Sequence, residues 1–259
     1  MNISVRDLSF SYPDCPPVFE HLSFDIAPGC ILSILGPNGA GKSTLLACLA
    51  RLQLPSAGDV LFDGRSYRQM SQAEVARTVG FVPQDTTITF GYSVLDYVVT
   101  GCAPRMSALQ RPRTAEYEIA WHAIETMQLQ HLAMQSCLQL SGGERQQVMI
   151  ARVIAQRPAA ILLDEPTAHL DVGNQIKVLQ TMQQLGRSGY AVVLTTHNPD
   201  QALLLDDQVA LLDRRGRLTL GSGRAILTES VLSELYGAKL RVLDSDQLGR
   251  RVCVADTLG

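Results

Sequence analysis

The stretch Gly36-Pro37-Asn38-Gly39-Ala40-Gly41-Lys42-Ser43 fits the pattern G-x-x-x-x-G-K-[ST], in which a glycine-rich loop holds the phosphates of a nucleotide. The apolar run 31–35 before it predicts a buried parallel strand, and residues 44–50 after it predict a helix. Glycines let backbone amides approach phosphate oxygens, and the start of a helix adds positive potential. We therefore predict that Lys42 reaches the β- and γ-phosphates and that Ser43 ligates Mg²⁺.

The composition allows a large buried core and shows no excess of basic residues of the kind that favours nucleic-acid binding. Of the 259 residues, 46% are hydrophobic, and 22 basic against 25 acidic residues leave a net charge of −3. The six cysteines are scattered without a C-x-x-C pair, and several lie in apolar runs, which predicts buried free thiols in a reducing compartment. We expect no signal peptide and no membrane span, so that any membrane role comes through a partner.

Patterns outside the phosphate loop predict two kinds of strand. Alternating apolar residues at about 3–10 and 18–26 predict an antiparallel sheet, and residues 58–64 predict a short strand closed by an Asp-Gly turn. Apolar runs later in the chain predict buried parallel strands at 160–164 and 191–196. Weaker patterns predict further elements, which are strands at 208–212 and 217–220 and a helix at 228–236.

Helical periodicity replaces the strand patterns from about residue 93 to residue 157. Within this stretch, residues 103–114 carry two prolines and only basic charges, which predicts a loop. We expect a single α/β domain over 1–259 with a phosphate-loop (P-loop) NTPase core, an antiparallel β part and an inserted helical subdomain. Its approximate parts are a nucleotide-binding core at 1–92 and 158–259, and a helical subdomain at 93–157.

Two adjacent acids, Asp164 and Glu165, follow the apolar run 160–163. Phosphate-loop enzymes hold Mg²⁺ with a carboxylate at the end of such a strand, a role that Asp164 fits. Glu165 stands where the chain leaves the strand and is suited to polarise an attacking water. Adjacent acids at a strand end are on their own more often a solvated turn, so this assignment depends on the phosphate loop.

The stretch Leu140-Ser141-Gly142-Gly143-Glu144-Arg145-Gln146 predicts a second helix start that binds an anion. A single nucleotide seldom needs two such helix starts from one chain. Two chains arranged head to tail, however, can each supply one to a shared nucleotide. The alternative is an ordinary N-cap at Ser141 followed by flexible glycines.

From Tyr12 to about Leu220 the chain resembles the ATP-binding-cassette (ABC) ATPases. The matching motifs, in chain order, are the Walker A loop 36–43, Gln84 of the Q-loop, the signature 140–146, the Walker B run 161–164, Glu165, the Leu170-Asp171 D-loop and the switch His197. The resemblance implies ATP and Mg²⁺ as cofactors and ATP hydrolysis as the activity.

The resemblance also implies a role for each matched residue. Tyr12 stacks on adenine, Gly36 to Thr44 hold the phosphates, and Ser141, Gly142 and Gly143 bind the γ-phosphate in the opposite protomer. The implied Mg²⁺ ligands are Ser43, Gln84 and Asp164. The residues implied in hydrolysis are Lys42, Gln84, Glu165 and His197, and Asp171 connects the two sites. In isolation, Tyr12 is also compatible with a surface turn, Gln84 with a solvated loop and His197 with a strand-end histidine.

Within this family three functions stay open. The first is the ATPase subunit of a multi-subunit importer; the alternatives are another transporter type and a non-transport ABC ATPase. A regulatory module without turnover is disfavoured by the presence of Glu165 and His197. The stretch 94–105 and the tail 221–236 resemble importers of iron-siderophore, haem, cobalamin and related metal chelates, although Gly101 to Arg105 departs from the Gly-Arg-x-Pro-His common in that group.

The importer resemblance implies partners and a location. The partners are a second copy of the chain, integral membrane permease subunits and, indirectly, a substrate-binding protein, with no nucleic acid. The location is peripheral, at the cytoplasmic face of the inner membrane. We expect residues 90–113 to form part of a groove for a permease helix, with Val94, Leu95, Val98 and Val99 as its packing surface, unless the segment is a plain linker.

Overall fold

The computed structural model describes residues 1–84, 88–107 and 110–256, and it confirms the α/β fold. The strands are β1 (Ile3–Ser11), β2 (Pro17–Ile26), β3 (Ile31–Leu35), β4 (Ala57–Phe62), β5 (Arg65–Ser66), β6 (Val79–Val82), β7 (Ala160–Leu163), β8 (Ala191–Thr196), β9 (Gln208–Leu212), β10 (Leu218–Ser222), β11 (Leu240–Ser245) and β12 (Arg250–Ala255). The α-helices are α1 (Lys42–Leu49), α2 (Gln72–Thr78), α3 (Val94–Val99), α4 (Thr114–Thr126), α5 (Gly142–Ala155), α6 (Val172–Arg187), α7 (Pro199–Leu205), α8 (Gly223–Ile226) and α9 (Glu229–Tyr236).

A six-stranded sheet with the order β10-β9-β3-β8-β7-β6 forms the centre of the fold. Its strands pair in parallel, except that β10 lies antiparallel to β9 at one edge. Every residue of β3, β7 and β8 is buried, as expected for parallel strands covered on both faces. Because parallel strands end at the same edge, the phosphate loop after β3, Asp164 after β7 and His197 after β8 leave the sheet side by side.

The predicted antiparallel sheet is also present, with the strand order β2-β1-β4-β5. Phe62 pairs with Arg65 across a two-residue turn in which Asp63 and Gly64 have φ angles of 48° and 81°. Positive φ at both positions is what the favoured hairpin turns require, so the Asp-Gly turn is confirmed. Apolar side chains of this sheet form one hydrophobic cluster with those of β3 and α1, which fixes the sheet over one face of the core.

The helical insertion between β6 and β7 contains α3, α4 and α5, and it shares one hydrophobic cluster with α6, β7 and β8. The loop predicted at 103–114 is wrong at its start, because Thr100–Arg105 forms a 3₁₀ helix. Residues 108–109 of that loop lie outside the described residues. A Cβ at Gly101 would collide with the carbonyl oxygen of Arg152 in α5, so glycine lets the 3₁₀ helix approach α5 closely.

The packing surface expected on α3 is not available to a partner. Val94 and Val98 are completely buried and Val99 is nearly so, because α3 packs its apolar face against α4 and α5. The expectation that these valines form a docking surface is therefore wrong. The side chain of Arg105 is likewise used within the chain, since it donates hydrogen bonds to the carbonyls of Gln156 and Arg157 at the end of α5.

Exposed apolar side chains lie instead on two segments beside α3. The segments 90–95 and 133–138 are joined by backbone hydrogen bonds. Their large exposed side chains, which we call the apolar patch, are Phe90, Tyr92, Met134 and Leu138.

The C-terminal region contains elements that the sequence patterns did not predict. Helix α7 begins two residues after His197, and β11 pairs with β12 in a separate antiparallel hairpin. Apolar side chains of α7, β9, α9 and this hairpin form a third hydrophobic cluster. The hairpin is therefore packed onto the helix that follows the switch histidine.

All six cysteines are free thiols, but the predicted burial is correct only for Cys48, Cys102 and Cys137, because Cys30 and Cys253 are half-buried and Cys15 is exposed. Over the described ranges, no helix combines the length and the apolar character needed to cross a membrane.

Candidate nucleotide-binding site

A cleft of about 720 Å³ opens at the carboxyl edge of the central sheet, a size typical of small-molecule sites. It brings together most residues that the sequence assigned to one nucleotide. Those that line the cleft are Tyr12, Asn38, Gly39, Gly41, Lys42, Ser43, Thr44, Gln84, Glu165 and His197. Gly36, Pro37 and Ala40 form the buried base of the same loop.

The phosphate loop needs its glycines for two physical reasons. Gly39 and Gly41 have φ angles of 81° and 96°, in the left-handed region that glycine adopts without strain. A Cβ at Gly36 would collide with the carbonyl oxygen of Leu212, because the loop lies directly against the end of β9. The loop then enters α1, whose N-cap Gly41 has no side chain to occupy the first backbone amides.

Lys42 is buried inside its own loop. Its Nζ donates hydrogen bonds to the carbonyls of Gly36 and Pro37, at 2.8 and 3.2 Å, and lies 3.7 Å from Oε1 of Glu165. Burial lowers the pKa of Lys42, and the carboxylates of Glu165 and Asp164 act in the opposite direction. The site therefore places a partly desolvated cation next to two acids.

Thr195 connects these two acids and was missed by the sequence patterns. Its hydroxyl donates a hydrogen bond of 2.6 Å to Asp164 and accepts one of 2.8 Å from the backbone N–H of Glu165. Thr195 is completely buried and Asp164 is 5% exposed, so Asp164 lies beneath the cleft and not in its lining. The available signal was a hydroxyl within the apolar run 191–196, since a buried hydroxyl needs a partner.

Glu165 stands in a strained position between a cation and a histidine. Its φ of 45° lies in the left-handed region, which is costly for a residue with a side chain. Its carboxylate is largely buried, and Oε2 lies 3.0 Å from Nδ1 of His197, whose side chain is 58% exposed. One carboxylate thus faces Lys42 with one oxygen and His197 with the other.

Tyr12 forms one wall of the cleft. Its ring packs edge-on against Phe10 with the centroids 4.9 Å apart, and its hydroxyl lies 3.2 Å from Oγ1 of Thr44. These contacts fix the ring while leaving the side chain 44% exposed, so a face is available for stacking. Ser43, at the start of α1, and Gln84, two residues after β6, are both exposed at the cleft.

Ser141 and the glycines after it lie at the start of α5, outside the lining of the cleft. Ser141 is an N-cap in a reciprocal capping box with Glu144, with an O···O distance of 2.7 Å between the side chains. Hydrogen bonds from Ser141 lower the pKa of Glu144 and keep it ionised. Asp171 caps α6 and accepts hydrogen bonds from Asn174, which also accepts one from Gln147 of α5. The signature helix and the D-loop are thus joined to each other, and neither Ser141 nor Asp171 lines the cleft of its own chain.

A buried polar network in the wall of the cleft was also missed. Gln201 of α7 accepts hydrogen bonds from the hydroxyls of Thr167 and Thr196, both at 2.9 Å. Its amide also donates to Gln175 at 3.4 Å. This network links α7 to the loop after Glu165 and to α6.

A family model and two similar proteins agree on the family to which the chain belongs. The family model described as "ABC transporter" matches residues 19–168. The chain is 38% identical to the molybdate import ATP-binding protein MolC of Haemophilus influenzae over 235 residues, which cover 90% of this chain and 87% of MolC. It is 36% identical to the ferric enterobactin transport ATP-binding protein FepC of Escherichia coli, over 92% of this chain and 88% of FepC.

A solved structure resembles the whole chain. It belongs to an ABC transporter described as being of the metal-chelate type, in an inward-facing conformation. The TM-score is 0.87 at 34% identity, and the match covers 99% of this chain and 98% of the other.

Thr195→Val tests the hydrogen bonds beneath the cleft. The change keeps the side-chain volume and removes the hydroxyl shared by Asp164 and Glu165. We expect the free energy of unfolding at pH 7 to fall by about 1–3 kcal/mol, because a buried carboxylate loses its donor. Urea unfolding measures this loss, and Thr195→Ser, which keeps the hydroxyl, is the control. Equal stability of the two variants would contradict the role assigned to Thr195.

Proposed function

The chain belongs to the ABC transporter family of ATP-binding proteins, and from that premise we propose that it is the ATP-hydrolysing subunit of an importer with a separate membrane permease. The observation that carries the proposal is the placement of Lys42, Glu165 and His197 within one cleft at the end of the phosphate-loop strand. A binding module without turnover needs no acid between a lysine and a histidine. Such an arrangement instead suits the activation of water beside a phosphate.

In this proposal the phosphate loop binds the triphosphate of ATP and Tyr12 stacks on its adenine. Lys42 exchanges the carbonyls of Gly36 and Pro37 for phosphate oxygens, which keeps its charge solvated in the bound state. The amides at the start of α1 and Lys42 together offset the charge of the phosphates, which is the main contribution of proteins to phosphoryl transfer.

The donor set fits the Mg²⁺ that this chemistry uses. Ser43, Gln84 and Asp164 offer hydroxyl, amide and carboxylate oxygens, the ligand types that Mg²⁺ prefers alongside water and phosphate. The ion supplies charge neutralisation and orientation of the phosphates. Thr195 fixes the Asp164 carboxylate through its 2.6 Å hydrogen bond, so this ligand is held before nucleotide binds.

Glu165 is proposed to orient and polarise the attacking water. The water oxygen attacks the γ-phosphorus as Glu165 accepts the water proton, the bond to the bridging oxygen breaks, and ADP and phosphate leave. His197 holds the second carboxylate oxygen of Glu165, so the first can turn from Lys42 toward the water. His197 is also exposed enough to contact the γ-phosphate.

Lys42→Ala tests the ATPase assignment. We expect nucleotide affinity and phosphate release both to fall at least about a hundredfold, because a preorganised cation at the phosphates is removed. Isothermal titration with ATP and a phosphate-release assay measure the two losses. Lys239→Ala, which removes an exposed lysine outside the cleft, is the matched control. Retention of both properties in Lys42→Ala would exclude the proposed function.

A second copy is proposed to complete the site. Ser141, Gly142 and Gly143 present a helix start that does not line the cleft of their own chain, and Asp171 is coupled to it through Asn174 and Gln147. In a head-to-tail pair, this helix start reaches the γ-phosphate bound by the partner. The two chains then enclose two nucleotides, and each site depends on both copies.

Glu165→Gln tests the shared site. Binding is expected to persist while hydrolysis slows by about a hundredfold or more, since the amide cannot accept the proton from water. The variant should therefore accumulate as an ATP-bound dimer in sizing chromatography. Adding Ser141→Arg, which fills the helix start with a bulky cation, should return it to a monomer. A Glu165→Gln chain that stays monomeric with ATP and permease present would count against the pair.

The transported substrate is proposed to be a metal chelate, such as an iron-siderophore, haem or cobalamin. The proposal is supported by the match over 99% of the chain to the metal-chelate type transporter and by the likeness to FepC. A molybdate oxyanion is a second candidate, favoured by the similar identity to MolC. In this proposal the chain lies at the cytoplasmic face of the membrane, and its partner subunits carry the substrate.

The apolar patch is the proposed contact with the permease. Phe90 and Tyr92 pack with ring centroids 5.9 Å apart, and the segment that carries Met134 and Leu138 lies beside them. All four side chains are at least half exposed, which is unusual for large apolar groups so close together. Gln84 at the cleft and Phe90 of the patch are only six positions apart in the sequence, so the proposed contact follows the nucleotide site closely along the chain.

Tyr92→Ala combined with Leu138→Ala tests this contact. We expect ATP hydrolysis by the isolated chain to stay within about twofold of normal, because neither residue lies in the cleft, while copurification with the permease and substrate uptake are lost. Uptake is measured with a labelled ferric siderophore and with molybdate, which also separates the two substrate candidates. Leu248→Ala, in an exposed turn elsewhere, is the control. Normal uptake and copurification in the double variant would place the contact elsewhere.

A further inference from the structure

The C-terminal hairpin, formed by β11 and β12, is hydrogen-bonded to α7, the helix that follows His197. The guanidinium of Arg250 donates two hydrogen bonds to the two carboxylate oxygens of Asp200, at 2.9 and 3.1 Å. The backbone N–H of Cys253 donates a third to the same carboxylate, at 3.1 Å. Asp200 is in the first turn of α7, and both partners are in β12. Bidentate pairs of this kind fix geometry as well as contributing energy.

His197 depends on α7 for its position. It is the only residue between the end of β8 at Thr196 and the N-cap of α7 at Asn198. With its side chain 58% exposed, it gains little from its own packing, so its backbone has to be held from both ends. The sheet fixes one end. At the other end, the Asn198 side chain accepts a hydrogen bond from the N–H of Asp200, the residue that Arg250 holds.

The inner and outer sides of α7 are held by different groups. On the inner side, Gln201 accepts hydrogen bonds from Thr167 and Thr196 in the buried network of the cleft wall. On the outer side, the Arg250–Asp200 pair is about one-third exposed, with the hairpin packed around it. The inner contacts centre on Gln201, and Ala202, Leu203 and Leu205 pack the rest of α7 into the core, whereas the Arg250–Asp200 pair adds a restraint on its first turn.

We infer that Arg250 is a positioning residue for ATP hydrolysis, acting through Asp200 and α7 to hold His197 against Glu165. The inference rests on the proposed function for its effect on turnover, while its structural part, the placement of the His197 ring, is independent of turnover. In this inference the hairpin has a role in positioning His197, although the hairpin lies outside the cleft and contributes none of its lining.

Arg251 supplies a matched control within the same strand. Its guanidinium also donates two hydrogen bonds, to the carbonyls of Arg224 within α8 and of Leu227 just after it, at 2.9 and 3.1 Å. Replacing Arg251 by alanine therefore loosens the hairpin by a comparable number of contacts without touching α7. A general effect of hairpin docking appears in both variants, and a specific effect on His197 appears only in Arg250→Ala.

The experiment compares Arg250→Ala, Arg250→Lys and Arg251→Ala in the full chain with its permease. For Arg250→Ala we expect kcat to fall by roughly two- to thirtyfold with the KM for ATP unchanged, as is typical for positions that act through a coupled element. Arg250→Lys keeps the positive charge but not the bidentate guanidinium, and it should recover part of the lost kcat. Arg251→Ala should lower the melting temperature without the fall in kcat.

A double-variant cycle with His197→Ala separates positioning from general stability. If Arg250 acts through His197, Arg250→Ala changes kcat less than about twofold once His197 is absent. The nuclear magnetic resonance signal of the His197 ring, assigned by its loss in His197→Ala, should move in Arg250→Ala and stay in place in Arg251→Ala. Additive losses in the cycle, or an unmoved ring signal, would overturn the inference.

A different measurement, ATP hydrolysis by the unaltered chain, decides whether the proposed function is correct. If the unaltered chain hydrolyses no ATP with its permease, the ATPase assignment is lost, whereas the ring signal still decides whether Arg250 positions His197.

Discussion

The parallel pairing of β3, β7 and β8 is the constraint on which the rest of the site depends. Leu35 pairs with Thr196 and Leu163 with Leu194, so the three strands end within a few residues of one another. This register is possible because all three strands are buried on both faces and carry apolar side chains almost throughout. Any slip along β8 would separate Thr195 from the acids that it joins.

The same edge explains why we propose that a second copy completes the site. The loops that leave the sheet gather the phosphate loop, the acids and the switch histidine on one surface, while the signature starts a helix that belongs to the insertion. That helix is fixed by its packing against α3, α4 and α6 and by the hydrogen bonds through Asn174, so it is presented rigidly on another surface. Geometry of this kind favours completion by a second surface, since neither part can move to the other without breaking the core.

Short-range patterns in the sequence predicted the fold well where one segment determines its own structure. The phosphate loop, the core strands and the Asp63-Gly64 turn are of this kind, because glycine conformation and apolar runs act locally. Thr195 was missed because its partner Asp164 is 31 positions away and only the β7–β8 pairing brings them together. The valines of α3 were misassigned because periodicity identifies an apolar face without identifying what covers it. The hairpin 240–255 was missed because its strands are only partly buried and alternate weakly.

The left-handed backbone at Glu165 has a further consequence for how the chain can change. Holding a residue with a side chain in that region costs about 1–3 kcal/mol, which glycine at the same position avoids. A substitution of Glu165 by glycine would therefore relieve backbone strain while removing the carboxylate. Keeping the acid at this position comes at the expense of stability. At this position the stability of the chain and the proposed activation of water are opposed.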